Sequence, residues 1–326
     1  MPKPIPPVHL RMRVSLLADE GDWGSSGWSS AYDFRRALSG VGVHLQGHAS
    51  TILDWGCGCG RTLSQIPFEF DKHEVHGCDI DGEAVAWLQE NYPAFHVVQS
   101  AELPPLPYRD GYFDLILNHS VLTHLDEAHQ DAWLAELGRI LKPDGVLVLT
   151  VMGPHALQLW LAGLPPELAT EELVERVHGS LEKDGLYFHV DDAWAADFPG
   201  YYQSTFHAPW YIFEHWTRYF DILSYVPRGS LAHQDMILLR HKRDLACRAS
   251  SESEASAPRS RGRAPARLAS TMNLRRRTPE AAVLVEDAAE EAVRPAASGH
   301  AAQAEAEIFA ARKLSSIRHR FFMQRQ

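Results

Sequence analysis

The run Thr51-Ile-Leu-Asp-Trp-Gly-Cys-Gly-Cys-Gly-Arg61 constrains this chain more than any other part of it. A short apolar stretch leads into Asp54 and three alternating glycines, Gly56, Gly58 and Gly60. Glycine accepts left-handed turns and leaves backbone amides uncovered, and a helix that follows offers its positive end to a ligand. The run therefore reads as a strand, a nucleotide-binding loop and the start of a helix. Its spacing discriminates among nucleotides. A dinucleotide fingerprint, G-x-G-x-x-G, needs a glycine three residues beyond the second, and Arg61 holds that place, which disfavours NAD and an oxidoreductase.

The downstream pattern alternates strands and helices. Glu74 to Asp79 reads as a second strand ending in an acid about 20 residues after the loop, where a carboxylate can accept from both ribose hydroxyls. The other role open to Asp79 is capping the helix from Glu83 to Tyr92, for which Asp81 is better placed. Phe95 begins a third strand, a proline-stiffened loop follows, and Tyr112 to Asn118 is apolar enough for a fourth buried parallel strand. Asp126 then caps a helix with Leu134, Leu137, Ile140 and Leu141 on one face, and Lys142-Pro-Asp-Gly145 turns into a fifth strand, Val146 to Val151.

Three stretches carry a family resemblance: Asp54 with its Gly-x-Gly-x-Gly loop, Leu106-Pro-Tyr-Arg-Asp-Gly-Tyr-Phe-Asp114, and Leu137-Gly-Arg-Ile-Leu-Lys-Pro-Asp-Gly-Val-Leu-Val-Leu149. In order and spacing, over about residues 51 to 152, they resemble class I S-adenosylmethionine-dependent methyltransferases. The resemblance implies an α/β fold: a Rossmann-like, doubly wound, seven-stranded sheet, mostly parallel with a reversed last strand. It further implies a loop of Asp54, Gly56, Cys57, Gly58 and Gly60 around the methionine end of S-adenosylmethionine, with Asp79 and Ile80 at the ribose. Glu102 and Leu103 would lie at the adenine, although Glu102 also suits a solvated loop charge. Asn118, His119, Ser120 and His124 would lie near the transferred methyl.

Methyl transfer from a sulfonium is an in-line displacement, so a hydroxyl acceptor must be aligned and deprotonated. His124 and His207 are the candidate bases, because histidine titrates near neutrality; each also suits a structural hydrogen bond. Oxygen is the expected acceptor atom on that account. His119, Tyr201, Tyr202 and Thr205 are candidate acceptor contacts, the last three alternatively packing the insertion, and His233 and Gln234 are more remote candidates. Cys57, Cys59 and Cys78 lack the paired spacing of a structural zinc site, so neither a metal nor a disulfide framework is expected. The paired acids of the family's magnesium-dependent catechol enzymes are replaced by Asn118 and His119.

Residues 1–48 form a leader expected to cover the cofactor, with Trp28 or Tyr32 closing over it. Residues 49–244 form the catalytic domain, interrupted at 153–206 by a cap expected to consist of helices and loops. Pro209 opens a helix to about Phe220, and Ile222 to Val226 with Asp235 to Arg240 make a closing antiparallel pair. From 245 to 326 the chain is low in complexity, with a helix-forming stretch near 301–322. Of the net charge of −11, residues 249–326 contribute +4 and the rest −15, which disfavours nucleic acid as a partner of the catalytic domain. The expected partner is a small-molecule or sugar-like acceptor in the cytoplasm, with no apolar run long enough for a membrane and any protein partner engaging the tail. A rival of another class is a catalytically inactive binding or scaffolding module with the same fold.

Overall fold

The computed structural model describes residues 3–44, 50–69, 73–191 and 199–242. Two helices, α1 (Val8–Ser15) and α2 (Glu20–Gly40), precede the first strand. Asp19 caps α2 by accepting from the Asp22 amide. Strand β1 (Ser50–Trp55) enters the glycine loop and is followed by a short helix, α3 (Ile66–Glu69). Then come β2 (His73–Asp79), α4 (Gly82–Asn91), β3 (His96–Gln99) and β4 (Phe113–Leu117). Asp81, not Asp79, caps α4, accepting from the amides of Glu83 and Ala84. Helix α5 (Glu127–Ile140) starts on Asp126, which accepts from the His129 amide.

Strand β5 (Leu141–Val151) begins earlier than its apolar run suggests, because Leu141 already pairs with Phe113; pairing shifts before it resumes between Leu115 and Val146. After the insertion, which holds α6, α7, β6 and β7 described below, α8 (Pro209–His215) runs through a single turn of 3-10 helix into β8 (Phe220–Ser230) and β9 (Gln234–His241). The sheet has the order β3-β2-β1-β4-β5-β9-β8, with β9 antiparallel to both neighbours and the remaining pairings parallel. Leu53, Trp55, Ile116, Leu147 and Leu149 pack against α5 and Trp216 on one face. Ile52, Val75, Leu115, Val146 and Val148 pack against Phe34 and Leu38 of α2 and Leu88 of α4 on the other. Alternate residues of central strands are thus buried in both directions, as a parallel sheet between helix layers requires.

The insertion departs from the expected helices and loops. It holds α6 (Pro154–Gly163) and α7 (Glu171–Lys183), the latter capped by Thr170. It also holds an antiparallel hairpin of β6 (Leu186–His189) and β7 (Ser204–His207). The hairpin is anchored to the main sheet: Phe206 bridges Met152 at the end of β5, and the Thr205 amide donates to the Thr123 carbonyl. The tail from 245 onward and its expected helix lie outside the described residues.

Candidate active site

Every βα turn of the parallel strands opens on one edge of the sheet, and the glycine loop after β1 forms its centre. The amides of Gly56 and Cys57 both donate to the carbonyl of Cys78 on β2, at 2.8 and 3.0 Å. All three loop glycines have positive φ: 75° at Gly56, 52° at Gly58 and 89° at Gly60. A Cβ at Gly56 would meet Val121 at 2.1 Å, one at Gly58 would meet Val14 of α1 at 2.6 Å, and one at Gly60 would meet Leu88 of α4 at 2.6 Å. The loop's glycines are therefore demanded by the protein's own packing as well as by conformation.

Asp54, one residue before the end of β1, has 2 % of its surface exposed, and its Oδ2 has no hydrogen-bond partner. Burial pushes its carboxyl up to about 7, against the opposing pull of the Arg61 guanidinium. On the neighbouring strand end, Asn118 donates from Nδ2 to the Trp55 carbonyl at 2.7 Å, while its Oδ1 is also buried and unpartnered. Two orphaned acceptors thus stand at the ends of adjacent strands, where an unmet acceptor is unfavourable unless a donor or cation arrives.

Asp79 ends β2 with both carboxylate oxygens engaged: Oδ2 accepts from the Gly58 amide at 2.6 Å and Oδ1 from the Asp81 amide at 2.9 Å. Burial holds its pKa above the usual carboxylate value despite those bonds. Each carboxylate oxygen can accept a second hydrogen bond, so two hydroxyls can still be received. Ile80 beside it is exposed. Glu102 and Leu103 are exposed as well, and the Glu102 carboxylate lies 3.2 Å from His129 Nε2. Ser100 comes closer to Asp79 than the sequence suggests, donating its amide to the Asp79 carbonyl at 2.9 Å.

Beyond β4 a polar cluster forms that sequence spacing does not reveal. Ser120 has a φ of 65° and its amide donates to Thr150 Oγ1 on β5. Its hydroxyl lies 2.9 Å from Thr123 Oγ1 and accepts from Gln234 Nε2 at 2.8 Å. His119 Nδ1 lies 3.0 Å from Ser230 Oγ, and burial holds its pKa well below the usual histidine range. The sequence points to His119, Ser120 and Gln234 one by one. It does not show that they meet, because the bonds to Ser230 and Gln234 span 111 and 114 positions.

The two candidate bases occupy different surroundings. His124 is half-buried, its Nδ1 lies 2.8 Å from the Gln203 carbonyl, and its ring stacks on Tyr202 with centroids 4.8 Å apart. Because a carbonyl only accepts, Nδ1 carries the proton and Nε2 the basic lone pair. His207 is 2 % exposed, its Nε2 lies 2.9 Å from Gln130 Oε1, and burial pulls its pKa down to about 3. It contributes to the lining of a cavity between the insertion and the start of α8, lined also by Leu157, Phe206 and Trp210. Thr205 is fully buried and spends its hydroxyl on the Leu125 carbonyl, and Tyr201 stacks on His129 at 4.3 Å. His233 faces His155 with ring centroids 6.5 Å apart.

The leader contributes from above the loop. Arg61, 6 % exposed, donates from Nη1 to Ser26 Oγ and Ser30 Oγ of α2 at 2.8 and 2.9 Å. Phe34 meets the His119 ring edge-on, and Asp33 accepts from the Leu231 amide at 2.8 Å. Trp28 and Tyr32 stack on each other with centroids 5.3 Å apart, on the exposed side of the helix. Cys57, Cys59 and Cys78 are buried free thiols, and burial pushes Cys59 up to about 12.

Residues 53–149, which carry this strand edge from β1 to β5, match the family described as "Methyltransferase domain". An uncharacterised protein of Haemophilus influenzae is 33% identical over 102 residues, covering 30% of this chain and 40% of its own length. A probable S-adenosylmethionine-dependent methyltransferase of Mycobacterium tuberculosis is 32% identical over 102 residues, covering 31% of this chain and 35% of its own. A malonyl-[acyl-carrier protein] O-methyltransferase of Halorhodospira halophila is 27% identical over 131 residues, covering 40% and 43%. The chain thus spans about two fifths of the length of the curated relatives it matches.

Proposed function

We propose that this chain, whose residues 53–149 match a methyltransferase domain, is a class I enzyme that transfers a methyl group from S-adenosylmethionine to the oxygen of a small molecule. The observation that carries the cofactor assignment is the pair of orphaned acceptors, Asp54 Oδ2 and Asn118 Oδ1, beside the glycine loop. A ligand bearing an ammonium and a sulfonium within a few ångströms of each other suits two neighbouring unmet acceptors, one of them a carboxylate. S-adenosylmethionine, when bound, supplies the electrophilic methyl. In this reading the glycine loop and Asp54 hold its methionine end, Asp79 and Ile80 meet the ribose, and the Ser100–Leu103 segment with Glu102 borders the base.

His124 is the favoured general base. Its proton is fixed on Nδ1 by the Gln203 carbonyl, so the ring presents the tautomer a base needs. His207 is the weaker candidate, since it is 2 % exposed and its low basicity suits a neutral structural role. Tyr202 steadies the His124 ring, and His119 with Ser120 and Gln234 offers polar contacts to an acceptor hydroxyl. The acidic domain argues against a nucleic-acid acceptor, and among the described residues no helix is long and apolar enough to cross a membrane. Several curated relatives being O-methyltransferases by name supports oxygen as the acceptor atom.

Calorimetric titration of the full chain with S-adenosylmethionine, S-adenosylhomocysteine and NADH tests the first half of this assignment. Micromolar binding of the first two and none of NADH is expected; absence of binding to both sulfur ligands overturns it. An acceptor screen following S-adenosylhomocysteine release then tests the base: His124→Gln should slow turnover by about a hundredfold or more while cofactor affinity stays within a few fold.

A further inference from the structure

Three potential ligands stand together on the face of the sheet away from the side chain of Asp79. Glu74 and His76 lie on one face of β2, two residues apart, and His96 is the register partner of His76 on the edge strand β3. Their donor atoms all lie within 4.8 Å of one another. His76 Nε2 is 2.9 Å from Glu74 Oε1, and His96 Nε2 is 3.8 Å from the same oxygen. The two imidazoles are stacked, centroids 4.8 Å apart and 27° between planes, so their nitrogens present toward one carboxylate.

We propose that Glu74, His76 and His96 form a binding site for a transition-metal dication of the zinc type, which clips edge strand β3 to β2. Two imidazoles and one carboxylate are the donor set that selects zinc, nickel, cobalt or copper over magnesium and calcium. Zinc holds nitrogen and oxygen ligands at about 2.0–2.2 Å, which places tetrahedral ligand atoms roughly 3.3 Å apart. The observed separations bracket that value, and the exposed His96 ring can swing to close the widest gap.

The surroundings hold two of the three ligands in place. His76 is 4 % exposed and fixed edge-on by the rings of Tyr108, Tyr112 and Phe113. Tyr112 Oη donates to Glu74 Oε1 at 3.2 Å, orienting the carboxylate as an outer partner does in metal sites. With a metal on Nε2, the proton that Nε2 shares with Glu74 Oε1 would move to Nδ1, which is buried and has no hydrogen-bond partner. The site offers three protein ligands and leaves the remaining positions to water. Sequence spacing could not show it, because the third ligand, His96, lies twenty residues beyond His76 and joins it only through strand pairing.

Calorimetric titration of the full chain with zinc chloride, and with cobalt chloride followed by visible absorption, tests the proposal. One equivalent bound with micromolar affinity is expected, with weakening of at least tenfold in both His96→Ala and Glu74→Gln. Zinc should also raise the melting temperature of the wild type and leave that of His96→Ala unmoved. Both altered side chains are exposed, so far-UV circular dichroism of the variants should match the wild type. Absence of saturable binding, or binding equally tight in both variants, overturns the site; the latter would place the ion on other histidines of the chain. S-adenosylhomocysteine affinity is a separate readout and should be unchanged in both variants.

Discussion

At Asp54 the penalty of burial and the attraction of a cationic ligand act on the same carboxylate. With its pKa raised to about 7, the folded chain retains a proton that an unfolded Asp, at about 3.9, has released. Between those values the folded state binds more protons, so this group's contribution to stability falls as pH rises. A cation at Oδ2 reverses the preference, because it favours the ionised form. S-adenosylmethionine affinity should therefore strengthen as pH climbs through about 7. Asp54→Asn removes this dependence while leaving the ligand's own titration in place. Calorimetry at about pH 6 and about pH 8 should show the ratio of wild-type to Asp54→Asn affinity rising up to tenfold, the change in ionised fraction over that span. A flat ratio would mean that Asp54 does not face the ligand's charge. Asp54 and the three glycines are legible in the sequence because strand, acid and turn are contiguous there. The unmet Oδ1 of Asn118 is not, since the state of that side chain depends on Trp55, 63 residues away.

Between elements, Arg61 joins the glycine loop to α2. Its guanidinium satisfies two serine hydroxyls of the leader and lowers the cost of ionising Asp54 at once. Arg61→Ala should destabilise the domain by about 3 kcal/mol, as the loss of a buried, multiply bonded charge does. It should also raise the Asp54 pKa further, moving the pH dependence of cofactor affinity upward. Urea denaturation and the affinity profile check the two effects separately. A second element-level device lies at the start of α5. Burial of His129 works to lower its pKa, but its bonds with Asp126 and Glu102 prevail and raise it. A raised histidine contributes fully below its unfolded value of about 6.5 and loses that contribution as pH rises through its folded value. Amide exchange in the first turn of α5 should accordingly quicken above about pH 6.5, and Glu102→Gln should weaken the effect. Strands β1, β2, β4 and β5 are readable from local pattern for a physical reason: each is an apolar run bounded by acids, glycines or prolines next to it in the chain. The β6–β7 hairpin lacks such a signal, because its strands are four residues each and Phe188 finds Thr205 across a long connection. The leader is legible only as composition. Asp33 meets the Leu231 amide 198 residues away, and Gly27 is glycine because a Cβ there would strike the Arg61 carbonyl at 2.1 Å.

For the whole molecule, the leader, glycine loop, strand ends and β8–β9 turn all converge on one edge of one sheet, so a ligand there touches segments remote in sequence. Ligand binding to the folded state alone stabilises by about 2.7 kcal/mol at a concentration about a hundred times Kd. For a domain of about 200 residues that corresponds to a Tm rise of roughly 5–10 °C. S-adenosylhomocysteine should produce this shift, measured by differential scanning calorimetry of the full chain, and NADH should not. The Asp54→Asn variant should show a smaller shift above about pH 7 and one close to the wild type below it, since only there is the wild-type carboxyl neutral. A full shift with NADH would restore the dinucleotide reading that Arg61 disfavours. An equal S-adenosylhomocysteine shift in both proteins at every pH would detach Asp54 from the cofactor, and the two orphaned strand-end acceptors would then need another cation to explain their burial.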